Sequence, residues 1–160
     1  MSITDINNPL NEVRVRQGAM LQDVPNLVEA SEELADGMFV HLTTDGKYAK
    51  AGVSIAATHL VVKSGEPRIT ALEVVNLTGT IQAGEPIVAL TGGPATVDIP
   101  FAGDVHKGDE LAVDADGYAV GRTGAAFCIG IANADVSIAP GDTLAWGEAF
   151  ITLPATWRDS

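Results

Sequence analysis

Three stretches of this 160-residue chain set chemically capable side chains close together. Asp114-Ala115-Asp116-Gly117 begins like a calcium loop, with two spaced carboxylates and a glycine for the sharp turn. Such a loop needs a third spaced oxygen ligand and a closing glutamate. Neither follows, so the segment reads as a hairpin turn. Gly52-Val53-Ser54-Ile55-Ala56 is one residue short of a nucleophile elbow. The strained elbow needs small residues on both sides of its serine and a strand–turn–helix setting, and both are missing. Thr91-Gly92-Gly93-Pro94 is glycine-rich, but no Gly-Lys-Ser/Thr follows to cradle a phosphate, and it reads as a turn.

The isolated reactive groups carry no more. His41, His59 and His106 lie far apart, in no ligand-type spacing, so no metal site is expected. Lys47 and Lys107 lie near turns, where a swinging-arm carrier domain presents its lysine, but neither has a carrier's flanking residues. The single cysteine, Cys128, cannot form an internal disulfide, and its apolar run AAFCIGIA predicts a small buried hydrophobe. Carboxylates are abundant: 10 acidic against 6 basic residues over 1–80, and 11 against 3 over 81–160. A solvated acidic face accounts for them. A glycosidase pair sits in an aromatic-lined cleft, and aromatic residues are 5% of this chain. The expectation is a protein that is not an enzyme and has no cofactor.

The elements that would position these groups are short. Candidate strands are Met38–Leu42, His59–Lys63, Ala71–Leu77, Ile87–Leu90, Thr96–Ile99, Glu110–Val113, Tyr118–Val120, Phe127–Ala132, Thr143–Trp146 and Ala149–Leu153. Turn pairs such as Asp45-Gly46, Ser64-Gly65, Asp116-Gly117 and Pro140-Gly141 separate them. That rhythm predicts an all-β fold: a small β-barrel or β-sandwich of short strands with Gly/Asp turns, spanning 25–153 as one domain. One short helix is expected from Asn26 to about Ala35, where Pro25 precedes a capping box of Asn26 and Glu29. A weak internal repeat relates 37–52 to 108–124: each runs from glycine through an alternating strand to Asp-Gly.

The ends read differently. Residues 1–24 predict an extended N-terminal arm. Asn7, Asn8 and Pro9 break any helix, and Val13-Arg14-Val15-Arg16 alternates with period two. Ile6, Leu10, Val13 and Val15 would lie along a partner, Val13–Val15 adding as a strand to an exposed edge; the alternative is an arm packed on its own barrel or on a sister subunit. Arg14 and Arg16 would point away from the valines, toward acidic groups of the partner. Residues 154–160 predict a tail whose Trp157 is a further candidate contact. A net charge of −12 repels phosphate backbones, so no nucleic-acid partner is expected. The N-terminus lacks a basic region followed by an apolar one, and no apolar stretch nears the ~20 residues of a membrane helix. Synthesis and folding in a cytoplasm, with no membrane partner, are the expectation.

Between Ile81 and Leu153 the segments AGEPIVAL, HKGDELAVDADGYAVGRTG, FCIGIANADVSIAPGDTLAW and ITLP resemble phage capsid decoration, or cement, proteins. The residues that carry the resemblance are Gly84, Gly108-Asp109, Asp116-Gly117, Gly130-Ile131-Ala132 and Gly141-Asp142, and more loosely the stretch Gly37–Gly52. It is a pattern of turns and strands that leaves 1–35 unmatched. It implies a β-rich virion protein, often a homotrimer, on the outer surface of an icosahedral bacteriophage head. There it would clamp neighbouring major capsid subunits and catalyse nothing. The alternatives are a phage tail or baseplate adaptor, a small-ligand or carbohydrate-binding β module and, last, a hydrolase.

Overall fold

The computed structural model describes residues 13–22, 28–62, 68–69, 74–75 and 80–159, and among them it holds strands and no helix. The chain opens with β1 (Arg14–Gly18) and β2 (Leu21–Gln22), followed by β3 (Leu34–Ala35), β4 (Phe39–Leu42), β5 (Tyr48–Lys50) and β6 (His59–Val62). The short β7 (Arg68–Ile69) and β8 (Val74–Val75) pair with each other, and β9 (Thr80–Ile81) pairs with β3. Next come β10 (Val88–Thr91), β11 (Ala95–Phe101), β12 (Glu110–Val113), β13 (Ala119–Gly121), β14 (Ala126–Ala132) and β15 (Ala145–Arg158). The all-β expectation is met.

Strands of this kind leave no unpaired edge if they close on themselves, and this chain does so twice. In the second half the order β11-β13-β12-β14-β15 returns from β15 to β11. Only β11 and β13 are parallel, meeting at Phe101 and Ala119. The first half runs β5-β4-β6-β10. Residues 29–30 close it: Ala30 bridges Tyr48 in parallel, and Glu29 bridges Pro86 in antiparallel fashion.

The two barrels superimpose bond for bond at an offset of 71 residues, as Tyr48 to Ala119 and Leu60 to Ile131 show. Leu42↔Tyr48 recurs as Val113↔Ala119, and Phe39↔Leu60 as Glu110↔Ile131. The Gly37 amide donates to the Val61 carbonyl at 2.9 Å, and the Gly108 amide to the Ala132 carbonyl at 2.8 Å. The β10 and β15 strands match at an offset of 60, Ala89 to Ala149. The faint repeat in the turns is thus a duplication of the whole hydrogen-bonding pattern over 29–62 and 100–133. Both hairpins turn on Asp-Gly. Gly46 and Gly117 take φ of 76° and 90°, the left-handed region that favours glycine.

Each barrel has its own filling. Val40, Tyr48, Val61 and Ala89 fill the first; their equivalents Leu111, Ala119, Ala132 and Ala149 fill the second. Phe39, Ala51, Ala57 and Leu60 belong to the first barrel but pack into the second barrel's cluster, which joins the halves.

Three expectations are corrected. Residues 28–35, the described part of the expected helix, are extended. The Ala30 amide donates to Glu85 and the Glu29 carbonyl accepts from Tyr48, so barrel closure takes the backbone groups a helix would use. The expected tail is strand: β15 continues through Pro154 to Arg158. Residues 152–155 oppose only Ile129 on β14, so Pro154 falls in an irregularity where its missing N–H breaks no ladder. There Leu153 and Ala155 donate to Gly92 and Ala57 of the first half, at 2.8 Å each. The arm is corrected in its described part. β1 pairs with β11 of the same chain and β2 with β10, so residues 14–22 staple one barrel to the other.

Candidate interaction surface

The residues suspected of chemistry serve the turns. The Asp114 carboxylate accepts the amides of Asp116 and Tyr118 at 3.0 and 2.9 Å. Thr43 holds the equivalent place and accepts the Lys47 amide at 3.2 Å. Asp104, Asp109 and Asp135 accept the amides of Ile138, His106 and Lys107. Ser54 is exposed on the Gly52–Ile55 turn. Among the described residues no three His, Cys, Asp or Glu side chains are grouped to hold a metal. The Tyr118 phenol is pushed above its ordinary pKa, first by burial and then by the charges of Asp114, Asp116 and Asp36.

The candidate contact residues are not gathered in one place. Ile6 and Leu10 lie outside the described residues. Val13 is 8% exposed and belongs to the core, whereas Val15 is 40% exposed. A bulge in β1 leaves Arg16 opposite no β11 residue. Its Nε donates to Asp98 Oδ2 at 2.6 Å, and Asp98 is 4% exposed. Arg16 therefore neutralises a buried carboxylate of its own chain and is not offered to a partner. Arg14 sits across the ladder from the same Asp98. Trp157 meets Phe127 edge to face at 5.0 Å and donates to Asp159 at 2.8 Å.

One apolar exposure lies on β14 and β15. Ile131 and Phe150 are cross-strand neighbours, each 44% exposed. With Glu110, Cys128, Thr156 and Arg158 they border one shallow depression. Arg122 closes its edge, donating to Glu110 at 2.7 Å. Cys128, expected to be buried, is half-exposed in this depression. Sequence reasoning missed Ile131 and Phe150 because each lies in an unbroken apolar run, FCIGIA and AFITL, where period-two alternation gives no phase. The one signal available was the repeat. At Leu60 the first half buries the residue equivalent to Ile131 completely.

This surface has no cluster of catalytic groups. Two apolar side chains ringed by polar and charged ones suit contact with another protein. No helix among the described residues is long and apolar enough to cross a membrane. A scan against models of known protein families finds no match, and no curated protein matches the sequence.

Proposed function

We propose that the protein is a structural component of a bacteriophage virion that binds the outer surface of the head and clamps neighbouring major capsid subunits. The observation that carries the reading is the resemblance across Ile81–Leu153, set on an all-β fold in which Gly84, Gly108, Gly117 and Gly141 take positive φ. Two properties support it. Asp104, Asp109, Asp114 and Asp135 are engaged in turns, and the exposed apolar residues Val15, Leu21, Ile131, Phe150 and Trp157 lie on strands rather than in a deep cleft. Rigid small barrels that present side chains from strands suit many repeated weak contacts on a symmetric shell. In this reading the protein acts as a homo-oligomer, a trimer matching the local threefold sites of the head.

The test is reconstitution. Heads assembled without this protein are mixed with the purified chain, repurified and resolved on quantitative gels. Hundreds of copies per head, with greater resistance of the heads to heat, are expected. A few copies per particle, confined to tail fractions, would replace this reading with a tail or baseplate adaptor. A stoichiometric sugar or other small ligand in native mass spectrometry, without head binding, would replace it with a ligand-binding module.

A further inference from the structure

The contact between the two barrels is one-sided. In the first barrel Phe39, Ala51, Ala57 and Leu60 are sealed, 0–3% exposed, against the second. The Phe39 amide donates to the Gly117 carbonyl at the tip of the β12–β13 hairpin, at 2.7 Å. On that hairpin Ala112 and Val113 are also sealed. The duplication names the equivalent of every one of these residues. Glu110, Arg122, Cys128 and Ile131 stand in the second barrel where Phe39, Ala51, Ala57 and Leu60 stand in the first. Glu110, Cys128 and Ile131 border the open depression on β14 and β15, together with Phe150, the equivalent of Leu90. The β4–β5 hairpin is likewise the uncovered counterpart of β12–β13. Leu42 is 45% exposed where Val113 is buried, and Gly46 has open space around it where Gly117 touches Phe39 and Met38.

A twofold contact buries both copies of each patch, whereas here one copy of each is buried and the other is open. The contact is therefore heterologous, and heterologous contacts repeat head to tail. We propose that a second copy of this chain covers the open face: the β4–β5 hairpin of one copy docks on the β14–β15 face of the next, as β12–β13 docks on the first barrel within each chain. Leu42 meets Ile131 and Phe150. Asp45, exposed at the hairpin tip, meets Arg158 at the rim of the depression. The inference rests on the duplication and stands apart from the capsid reading.

The experiment uses the full chain without capsids. Leu42→Asp removes the docking hairpin, and Ile131→Asp removes the face that receives it. Both side chains are exposed, so both variants keep the fold; Ile131→Asp faces Glu110 across the ladder and should lower the unfolding midpoint somewhat without unfolding the chain. Phe150→Asp serves as a second receiving-face variant should Ile131→Asp fail to fold. Sedimentation at high micromolar concentration is expected to show an assembled wild type and monomeric single variants. An equimolar mixture of hairpin and face variants should give a one-to-one dimer, because one intact hairpin meets one intact face and growth stops there. A monomeric wild type, a Leu42→Asp protein that assembles normally, or a mixture that stays monomeric would each overturn the proposal. A wild type that decorates heads while remaining monomeric would overturn it together with the trimer, and leave head binding standing.

Discussion

Phe101 of β11 lies beside Ala119 of β13 on the parallel edge of the second barrel, and both side chains are wholly buried. The first barrel makes the same contact with the sizes exchanged: Ala30 lies beside Tyr48, again wholly buried. Each barrel thus fills one shared volume with one aromatic and one alanine. Phe101→Ala should cost about 3–5 kcal/mol, as a large-to-small change in a sealed core does. Ala119→Tyr alone should cost about 1–3 kcal/mol or more by overpacking. The double variant copies the first barrel and should lose less than the sum, with a favourable coupling of about 1–3 kcal/mol. Denaturant unfolding of the four proteins measures it; additive losses would mean that the two positions do not share a volume.

That exchange is also why the duplication was faint in the sequence. Turn residues repeat because φ near +80° demands glycine at Gly46 and Gly117 alike. Core residues need only fill the same space, and Ala30 with Tyr48 fills it as well as Phe101 with Ala119. Strands bounded by such turns were read nearly to the residue, Glu110–Val113 among them. The failures came where a long-range contact overrides a local signal. Ala30 and Leu34 are spaced like one face of a helix, yet both are buried because their segment crosses a barrel seam. Pro154 and the polar residues after it look like the end of a fold, yet β14 and the first barrel hold them in a strand. The pairing of Arg16 with Asp98 joins residues 82 positions apart, which no alternation pattern announces.

The Arg16–Asp98 pair should be a support of the fold rather than a surface ornament. Asp98 is buried, and its cross-strand neighbour on β15 is Glu148, a like charge. Arg16→Ala should cost on the order of 2–3 kcal/mol. That is below the ~3–5 kcal/mol of a fully buried pair because Arg16 keeps 28% of its side chain exposed. Asp98→Asn, which keeps the shape and removes the charge, should be milder, and it should shrink the further effect of Arg16→Ala. Equal losses for Arg16→Ala in both backgrounds would show that the pair does not interact energetically.

Stability should fall at alkaline pH through Tyr118. Its phenol ionises at higher pH in the folded chain than in the unfolded one, because burial and the charges of Asp114, Asp116 and Asp36 oppose the phenolate. A raised folded pKa contributes stability that is complete below the unfolded value of about 10 and is lost as pH rises through the folded value. Near-ultraviolet absorbance should therefore show a late phase for Tyr118, identified as the part of the signal that a Tyr118→Phe variant lacks. Tyr118→Phe should remove that phase and flatten the alkaline loss of unfolding free energy. An alkaline loss of unfolding free energy that is unchanged in Tyr118→Phe would assign the effect elsewhere.

Truncation separates what the N-terminal segment does for the fold from what it does for a partner. Residues 14–22 pair with both barrels, and Val13 is buried in the core cluster. Removing 1–18 takes away β1, the burial of Val13 and the counter-charge of Asp98 together. Burying one such side chain contributes about 1.5 kcal/mol or more, and an uncompensated buried charge costs at least as much. That truncation should lower the unfolding free energy by several kcal/mol, and any loss of head binding with it says nothing about contact. Removing 1–12 leaves β1, Val13 and Arg16 in place, so it should lower the unfolding free energy less than the longer truncation does. Under the capsid reading, Ile6 and Leu10 go with those twelve residues, so the shorter truncation should fold normally and bind heads more weakly. The weakening should depend little on salt, since apolar burial outweighs exposed ion pairs worth about 0.5 kcal/mol each. Unchanged head affinity in the 1–12 truncation would remove Ile6 and Leu10 from the contact and leave the strand surfaces of the barrels to carry it.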